Sequence, residues 1–433
     1  MTNYILNISK DKLSKGKIEL IPEYNLIVGS RSFSEYFGEN TSLEQDLLQI
    51  ASSVFAADRA TKRGEREDVC RSITLEIPVV NFERIAPHIY EIQSTLRKLS
   101  NDSWEIILHQ RLGQVEKMKV PKSNGGTTLL FSGGLDSLAA AVQEGENEIT
   151  LEMVSHVTHN SITSQSQNKL YRLLCAKGYN VSHKRFYVSS KSYKTSSFIH
   201  DEESSQRTRS FLFLMLGALV ARRTGNHKIL MLAENGQLAI HLPLTQGRIG
   251  AFSTHTAHPD VINSMEHLLR SLMQLNLVIC NPFEHMTKKE VIKNVYKKLP
   301  KAIPMSTSCF MNWRLPKGFT HCGTCIPCYI RRIAIESLGE DKTKYARNVW
   351  IENISELPED DDGRRNLMDL LEFIVFLGHS NDEEIMNEYP ELYSPNIDSE
   401  KTIKMYRRFC NEARAVFNKY PAIKECLNEN KSS

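Results

Sequence analysis

Little in this chain is extreme, and each thing it lacks closes off a class of function. Its 54 Lys and Arg stand against 51 Asp and Glu, a formal net charge of only +3. That argues against the strongly basic face of a dedicated DNA binder and leaves small anionic ligands open. Long hydrophobic runs are missing. The most apolar stretch, residues 210–221, lies between Arg209 and the pair Arg222-Arg223. It is too short to span a bilayer, so a buried core helix is expected there and no membrane. Met1-Thr2-Asn3-Tyr4 opens no signal peptide, because no charged region precedes an apolar one. A soluble, cytoplasmic protein is the expectation. No collagen, heptad or solenoid period is present. Five of the nine cysteines (Cys70, Cys175, Cys280, Cys410 and Cys426) have no ligand spacing and read as thiols of a reducing compartment. The 433 residues suffice for two or three domains with a large core.

Against this even background one string stands out. Ser132-Gly133-Gly134-Leu135-Asp136-Ser137 follows a strand-like segment, residues 127–131, and opens an alanine-rich helix. Strand, small-residue loop and helix start make an anion site. Unpaired backbone N–H groups and the positive end of the helix dipole converge there. Two glycines let the backbone approach a phosphate closely, and the serine hydroxyls add donors. No lysine follows the glycines, so the Walker pattern is excluded. Asp136 puts a carboxylate inside an anion site. That makes sense where it faces a Mg²⁺ bridging phosphate oxygens, or where it caps the helix.

The other four cysteines cluster. Cys322, Cys325 and Cys328 recur at spacings of three, with Cys309 upstream. Four thiolates match a closed tetrahedral zinc site, structural because no position stays open for water. Gly323 and Pro327 suit the tight turns that aim several side chains at one centre. An iron–sulfur cluster uses similar spacing. A disulfide does not fit without a secretory signal. His321 is adjacent, and with four cysteines at hand it reads as a bystander.

Three regions emerge. Residues 1–120 read as a mixed α/β domain. Residues 24–28 and 72–77 are strand-like, and Thr41-Ser42-Leu43-Glu44 forms a capping box opening a helix to about residue 58. Its stripe of Leu43, Leu47, Leu48, Ile50 and Val54 is expected to be buried. The charged run 59–68 reads as a solvated connector, and 121–126 as a linker-like break. Residues 121–340 alternate strands (127–131, 150–157, 184–189, 229–233 and 276–280) with helices (137–144, 164–177, 206–223 and 260–274). Such alternation predicts an α/β fold, a parallel sheet with helices on both faces. Ligands of such sheets sit at the carboxyl ends of strands, where His159 and Asn160 would also lie. Residues 341–433 read as a helical extension, with Leu370, Leu371, Phe373, Ile374 and Phe376 packing rather than binding a cofactor.

The loop string resembles that of the PP-loop ATP pyrophosphatases, which cleave ATP between the α- and β-phosphates. Loop and cysteine group together resemble the QueC-like enzymes, whose founding member is 7-cyano-7-deazaguanine synthase. The likeness runs over about residues 125–337. It includes Arg209-Ser210-Phe211, Glu234-Asn235-Gly236 after a strand, Asn281-Pro282-Phe283, Thr287-Lys288-Lys289-Glu290, Ser308-Cys309-Phe310 and Arg331-Arg332. The family's Tyr-Pro-Asp-Cys substrate loop is absent, and residues 251–259 stand in its place. The long segments before 120 and after 340 resemble the QueC-like members of bacterial anti-phage defence systems, the QatC type.

The resemblance implies an ATP- and Mg²⁺-using PP-loop enzyme with a structural Zn²⁺ on Cys309, Cys322, Cys325 and Cys328. ATP is expected on Ser132, Gly133, Gly134, Leu135, Asp136, Ser137, Arg209 and Lys288, with Asp136 and Lys288 nearest the chemistry. Lys288, in the first turn of a helix, is poorly placed against the dipole unless an anion lies between. Glu234, Asn235 and Gly236 are expected to read a purine-like edge, and Thr254, His255 and His258 to line the acceptor side. The implied reaction adenylates a 7-carboxy-7-deazaguanine-like acid. An amine then attacks, either ammonia or an amine on a protein partner from the same defence system. A carboxylate must expel an oxide to acylate anything, whereas its adenylate expels AMP. The protein therefore needs to position reactants and neutralise charge. Two other classes stay open. One is tRNA sulfur transfer on the same loop, with Cys175 the candidate thiol. The other is a non-catalytic zinc-containing binding module built on the cysteine group with Arg331 and Arg332 and on the basic residues near position 62.

Overall fold

The structure is a computed structural model that describes residues 4–10, 14–22, 25–61, 63, 70–116, 122–157, 161–190, 203, 205–226, 228–230, 233–245 and 256–429. The chain opens with an antiparallel hairpin, β1 (Tyr4–Lys10) and β2 (Ser14–Leu20). A two-residue strand β3 (Leu26–Ile27) leads into α1 (Ser30–Phe37) and α2 (Ser42–Ala60). Then come β4 (Ser72–Val79), the short α3 (Phe82–Ile85), α4 (Ile89–Ser100) and β5 (Ser103–Gln110). The sheet order is β2-β1-β4-β5, with only β4 and β5 parallel. Helix α2 starts on the expected capping box. Thr41 Oγ1 accepts from the Glu44 amide, and the Glu44 carboxylate accepts from the Thr41 amide at 2.8 Å.

From residue 127 the chain alternates. The elements are β6 (Thr127–Leu130), α5 (Leu135–Glu144), β7 (Leu151–Val157), α6 (Ser161–Ala176), β8 (Val181–Tyr187) and a short β9 (Ser189–Ser190) paired with β3. They continue with α7 (Arg209–Thr224), β10 (Lys228–Leu230), the single turn α8 (Gly236–Ala239), α9 (Pro259–Met273), β11 (Val278–Cys280), α10 (Lys288–Lys298) and α11 (Ile326–Glu336). The five expected strands form an all-parallel sheet in the order β11-β10-β6-β7-β8. Side chains alternate across it, as strand geometry requires. Leu129, Phe131 and Met153 pack with α5, α6 and α10, while Leu130, Val154 and Phe186 enter the core shared with α7 and α9. Helices therefore cover both faces. The chain leaves β6 through β7 and β8, then returns to the far side of β6 for β10. That reversal opens a crevice at the carboxyl ends of β6 and β10.

The last third is helical: α12 (Asp362–His379), α13 (Asp382–Glu388), α14 (Ser399–Phe417) and α15 (Pro421–Glu429). Leu370, Leu371, Phe373 and Ile374 are buried in one core with Tyr329 of α11 and Phe409 of α14. No described helix is long and apolar enough to cross a membrane.

Helix α2 carries three fully buried carboxylates, Glu44, Asp46 and Asp58. Desolvating such a group costs several kcal/mol unless it is paired, and each is paired. Glu44 meets Arg222 at 3.1 Å and Arg223 at 2.6 Å, both at the end of α7. Asp46 accepts from the amides of Val80 and Asn81. Asp58 meets Arg71 at 2.5 Å and accepts from the amide and hydroxyl of Thr208, each at 3.0 Å. Arg71 also reaches Asp102 Oδ2, which Arg63 grips as well, each at 2.6 Å. The N-terminal sheet is thus fastened to the start and the end of α7 and shares one hydrophobic core with the central sheet. Residues 122–126, expected as a linker, also lie on α7. Asn124 donates from its amide to the Gly225 carbonyl at 3.0 Å and from its side chain to the Thr224 carbonyl at 2.6 Å. Of the charged run 59–68, residues 62 and 64–68 lie outside the described residues, while Arg63 belongs to the buried network. Arg71→Ala would leave buried Asp58 without its arginine and Asp102 with Arg63 alone, and urea unfolding should register a loss of about 3–5 kcal/mol.

Candidate functional site

The loop after β6 is built on glycine for two reasons. Gly133 has φ +84°, and a Cβ there would lie 3.0 Å from Gln167 Cγ and 3.2 Å from its amide nitrogen. Gly134 is the N-cap of α5, with no side chain capping the helix. The first amides of α5, those of Leu135, Asp136 and Ser137, thus lack a side-chain cap and suit an anion. The Ser132 and Ser137 hydroxyls lie 3.2 Å apart, and Ser137 also donates to the Gly134 carbonyl at 3.1 Å. Leu135 offers only its backbone, because its side chain is fully buried in the core.

Asp136 and Lys288 form a buried ion pair at 2.7 Å. Lys288 is the first residue of α10, which starts on a second capping box, Thr287 with Glu290. The anion that its position calls for is thus, in part, the protein's own carboxylate. Asp136 Oδ2 also accepts from Asn235 Nδ2 at 2.9 Å, while Asp136 Oδ1 is buried with no hydrogen-bond partner. The Lys288 amide donates to Gln237 Oε1 at 3.0 Å. Glu234 is clasped through its backbone, its amide donating to Asn281 Oδ1 at 3.2 Å and its carbonyl accepting from Asn281 Nδ2 at 2.7 Å. Burial, and then the neighbouring Asp136, push the Glu234 carboxyl up to about 7, with Lys288 pulling the other way.

The segment 234–236 was expected to read a substrate edge, but much of it is committed to this frame. Asn235 binds Asp136. Gly236 donates its amide to the Met286 carbonyl at 2.9 Å, and a Cβ there would lie 2.3 Å from the Glu284 carbonyl oxygen. The C-terminal helices reach the same frame. Thr287 donates to Glu412 of α14 at 3.0 Å, and burial pushes the Glu412 carboxyl up to about 7.

Arg209 opens α7, and its guanidinium makes no hydrogen bond or ion pair among the described residues. Burial lowers its pKa. Glu203 accepts instead from the Arg63 amide at 2.9 Å and from Ser205. His156 stays neutral at neutral pH, since burial and then Arg209 lower it to about 3. Thr254 and His255 lie outside the described residues, as do His159 and Asn160. His258 is the N-cap of α9, its Nδ1 accepting from the Asp260 amide at 3.3 Å.

The sulfurs of Cys309, Cys322, Cys325 and Cys328 all lie within 4.8 Å of one another, and all four residues are buried. A single zinc ion about 2.3 Å from each sulfur needs sulfur–sulfur edges of about 3.8 Å. The separations of 3.4 Å for Cys325–Cys328 and 3.7 Å for Cys322–Cys328 fit that scale. Backbone amides of Met311 and Cys322 donate to Cys309 Sγ, each at 3.3 Å. His321 stands apart, its Nε2 accepting from the Ser308 amide at 3.1 Å and its Nδ1 bonded to Thr320 Oγ1 at 2.8 Å.

The cysteine lobe also braces the loop, a link with no signature in the motif. Thr307, two residues before Cys309, donates its amide to the Gly133 carbonyl at 3.1 Å. Arg331 is wholly buried and binds the Ile303 carbonyl at 2.6 Å and Ser306 Oγ at 2.9 Å. Arg332 pairs with Glu336 at 2.6 Å and lies 4.1 Å above the Trp350 ring. Neither arginine is presented to a partner, which removes part of the basis for a binding module. Cys175 is exposed in the last turn of α6, eight residues beyond the loop-contacting Gln167. That is about 12 Å along the helix, which weakens the sulfur-transfer reading.

Residues 127–339 match the family described as queuosine biosynthesis protein QueC. The match spans the parallel sheet, the loop and the cysteine group, and it supports a QueC-like PP-loop family and an ATP-using enzyme. No curated protein and no solved structure shows a significant match to the chain.

Metal analysis should find one zinc per chain, and Cys309→Ala should lose it and loosen the loop, read as faster amide exchange at 132–137. A pH series tests the buried carboxyl. The Glu234 value of about 7 lies above its ordinary 4.5, so its stabilising effect is complete below about pH 4.5 and lost as pH rises through 7. Urea stability should therefore fall from about pH 4.5 to about pH 7, and fall less in Glu234→Gln.

Proposed function

We propose that the QueC-like segment uses ATP to adenylate a 7-carboxy-7-deazaguanine-like carboxylate, which an amine then captures as an amide, with AMP and pyrophosphate released. The observation that carries this reading is the uncapped, glycine-built start of α5 beside the buried Asp136–Lys288 pair, at the switch point of a parallel sheet. In the first step a carboxylate oxygen attacks the α-phosphorus and the bond to the β-phosphate oxygen breaks. In the second, the amine nitrogen attacks the acyl carbon, AMP leaves with the former carboxylate oxygen, and the amine gives up a proton.

Loop amides with the hydroxyls of Ser132 and Ser137 hold the departing pyrophosphate, and Lys288 and Arg209 neutralise its charge. Mg²⁺, when bound, supplies Lewis-acid neutralisation of phosphate oxygens, and the free Oδ1 of Asp136 fits a role in holding it. The cysteine group holds structural Zn²⁺, acting through Thr307 on the loop. Thr254, His255 and His258 line the acceptor side. The acceptor is ammonia or an amine of a protein partner. The regions before 120 and after 340 support a defence-associated role of the QatC type in the cytoplasm, where they would form the docking surface.

Incubation with ATP and 7-carboxy-7-deazaguanine, with and without ammonium, should yield AMP and pyrophosphate only when the acid is present. Asp136→Asn should lower that turnover by about 100-fold or more. ADP as product, or turnover indifferent to the acid, would overturn the reading.

A further inference from the structure

We propose that Glu234 is a second carboxylate ligand of the divalent cation that accompanies the nucleotide, joined by Asp136 Oδ1 and the side-chain oxygen of Asn235. This rests on the nucleotide reading above and assigns to one residue a role beyond it.

Two neighbouring side chains carry buried oxygens that lack partners. Asp136 is 7% exposed. Its Oδ2 takes Lys288 and Asn235, yet its Oδ1 is buried with nothing bound to it. Asn235 is fully buried, and its orientation follows from its partner, because only the amide nitrogen can face a carboxylate oxygen. That leaves Asn235 Oδ1 buried and unpartnered. The Glu234 carboxylate makes no hydrogen bond or ion pair among the described residues. Its charge responds to that ion pair, its pKa raised by burial and then by Asp136 and lowered by Lys288, and the next residue in the chain, Asn235, is bonded to Asp136.

Each buried oxygen left without a donor costs about 1–3 kcal/mol. One such atom is unremarkable, but two on side chains that are hydrogen-bonded to each other, Asp136 and Asn235, need a common reason. Charge supplies it, since two carboxylates share one ammonium and the deficit is positive. The unpartnered atoms of Asp136 and Asn235 are both oxygens, so the partner they lack is an oxygen-seeking cation. Mg²⁺ and Mn²⁺ are typically held by one or two carboxylates, with phosphate oxygens and water completing the shell. The place agrees, because Asp136 is in the first turn of α5, where the loop would hold phosphates. Asn281 holds the Glu234 backbone on both its amide and its carbonyl, so the side chain is pre-positioned. Gln at 234 keeps the shape and removes the charge.

The test uses the full-length zinc-loaded chain, a non-hydrolysable α,β-methylene ATP analogue and Mn²⁺ as the probe. Titration calorimetry measures analogue binding in EDTA and in Mn²⁺, and electron paramagnetic resonance counts bound Mn²⁺. Glu234→Gln should bind the analogue in EDTA at least as tightly as the wild type, but bind Mn²⁺ in the ternary complex at least tenfold more weakly. Glu234→Asp, which keeps the charge one methylene short, should fall between them and carries the test if the glutamine variant loses zinc or its thermal transition. Mn²⁺ affinity within twofold of wild type in a folded variant overturns the assignment while leaving the nucleotide reading intact. Failure of the wild type to bind the analogue under either condition overturns both.

Discussion

Everything at this site hangs on a buried ion pair between two helix starts. Asp136 lies in the first turn of α5 and Lys288 in the first turn of α10, 152 residues apart in sequence and 2.7 Å apart in space. Each is in the wrong place for its own chemistry: the lysine faces a positive helix end, and the aspartate occupies an anion site. Together they are compensated, and the cost of burying both charges holds the two helix starts in register. Removing one partner would leave the other uncompensated, so the pair is both a structural staple and the charged floor of the crevice.

Around that floor, three unrelated parts of the chain brace one small volume. The cysteine lobe reaches the loop through Thr307 and the Gly133 carbonyl. The C-terminal helices reach Thr287, the cap of the lysine-bearing helix, through Glu412. The N-terminal sheet acts more remotely, through α2, whose Glu44 and Asp58 clamp α7 at both ends, and α7 opens on Arg209, which lies near His156 of β7. The extensions are therefore fused to the nucleotide-binding core by buried charge as well as by apolar packing.

Much of this was legible in the chain itself. The alternation of strands and helices, the glycine-built loop, the capping box at Thr41 and the four-cysteine grouping all depend on neighbours within a few residues, and local patterns report such things well. What could not be read depends on distant partners. Nothing around Asp58 announces that Arg71 and Thr208 will meet it, and nothing in Asn281-Pro282 announces a clamp on Glu234. The hairpin of β1 and β2 was missed although its residues alternate. The segment 234–236 shows the limit most clearly. Its polarity marked it as part of a site, but only the fold shows Asn235 and Gly236 bound into the frame of that site.

The central claim is that the crevice makes an acid reactive by joining it to the α-phosphate of ATP. Labelling the carboxylate oxygens of 7-carboxy-7-deazaguanine with ¹⁸O and weighing the AMP formed tests this directly. One labelled oxygen should appear in AMP for each amide made. Unlabelled AMP, or label found only in inorganic phosphate, would contradict the account.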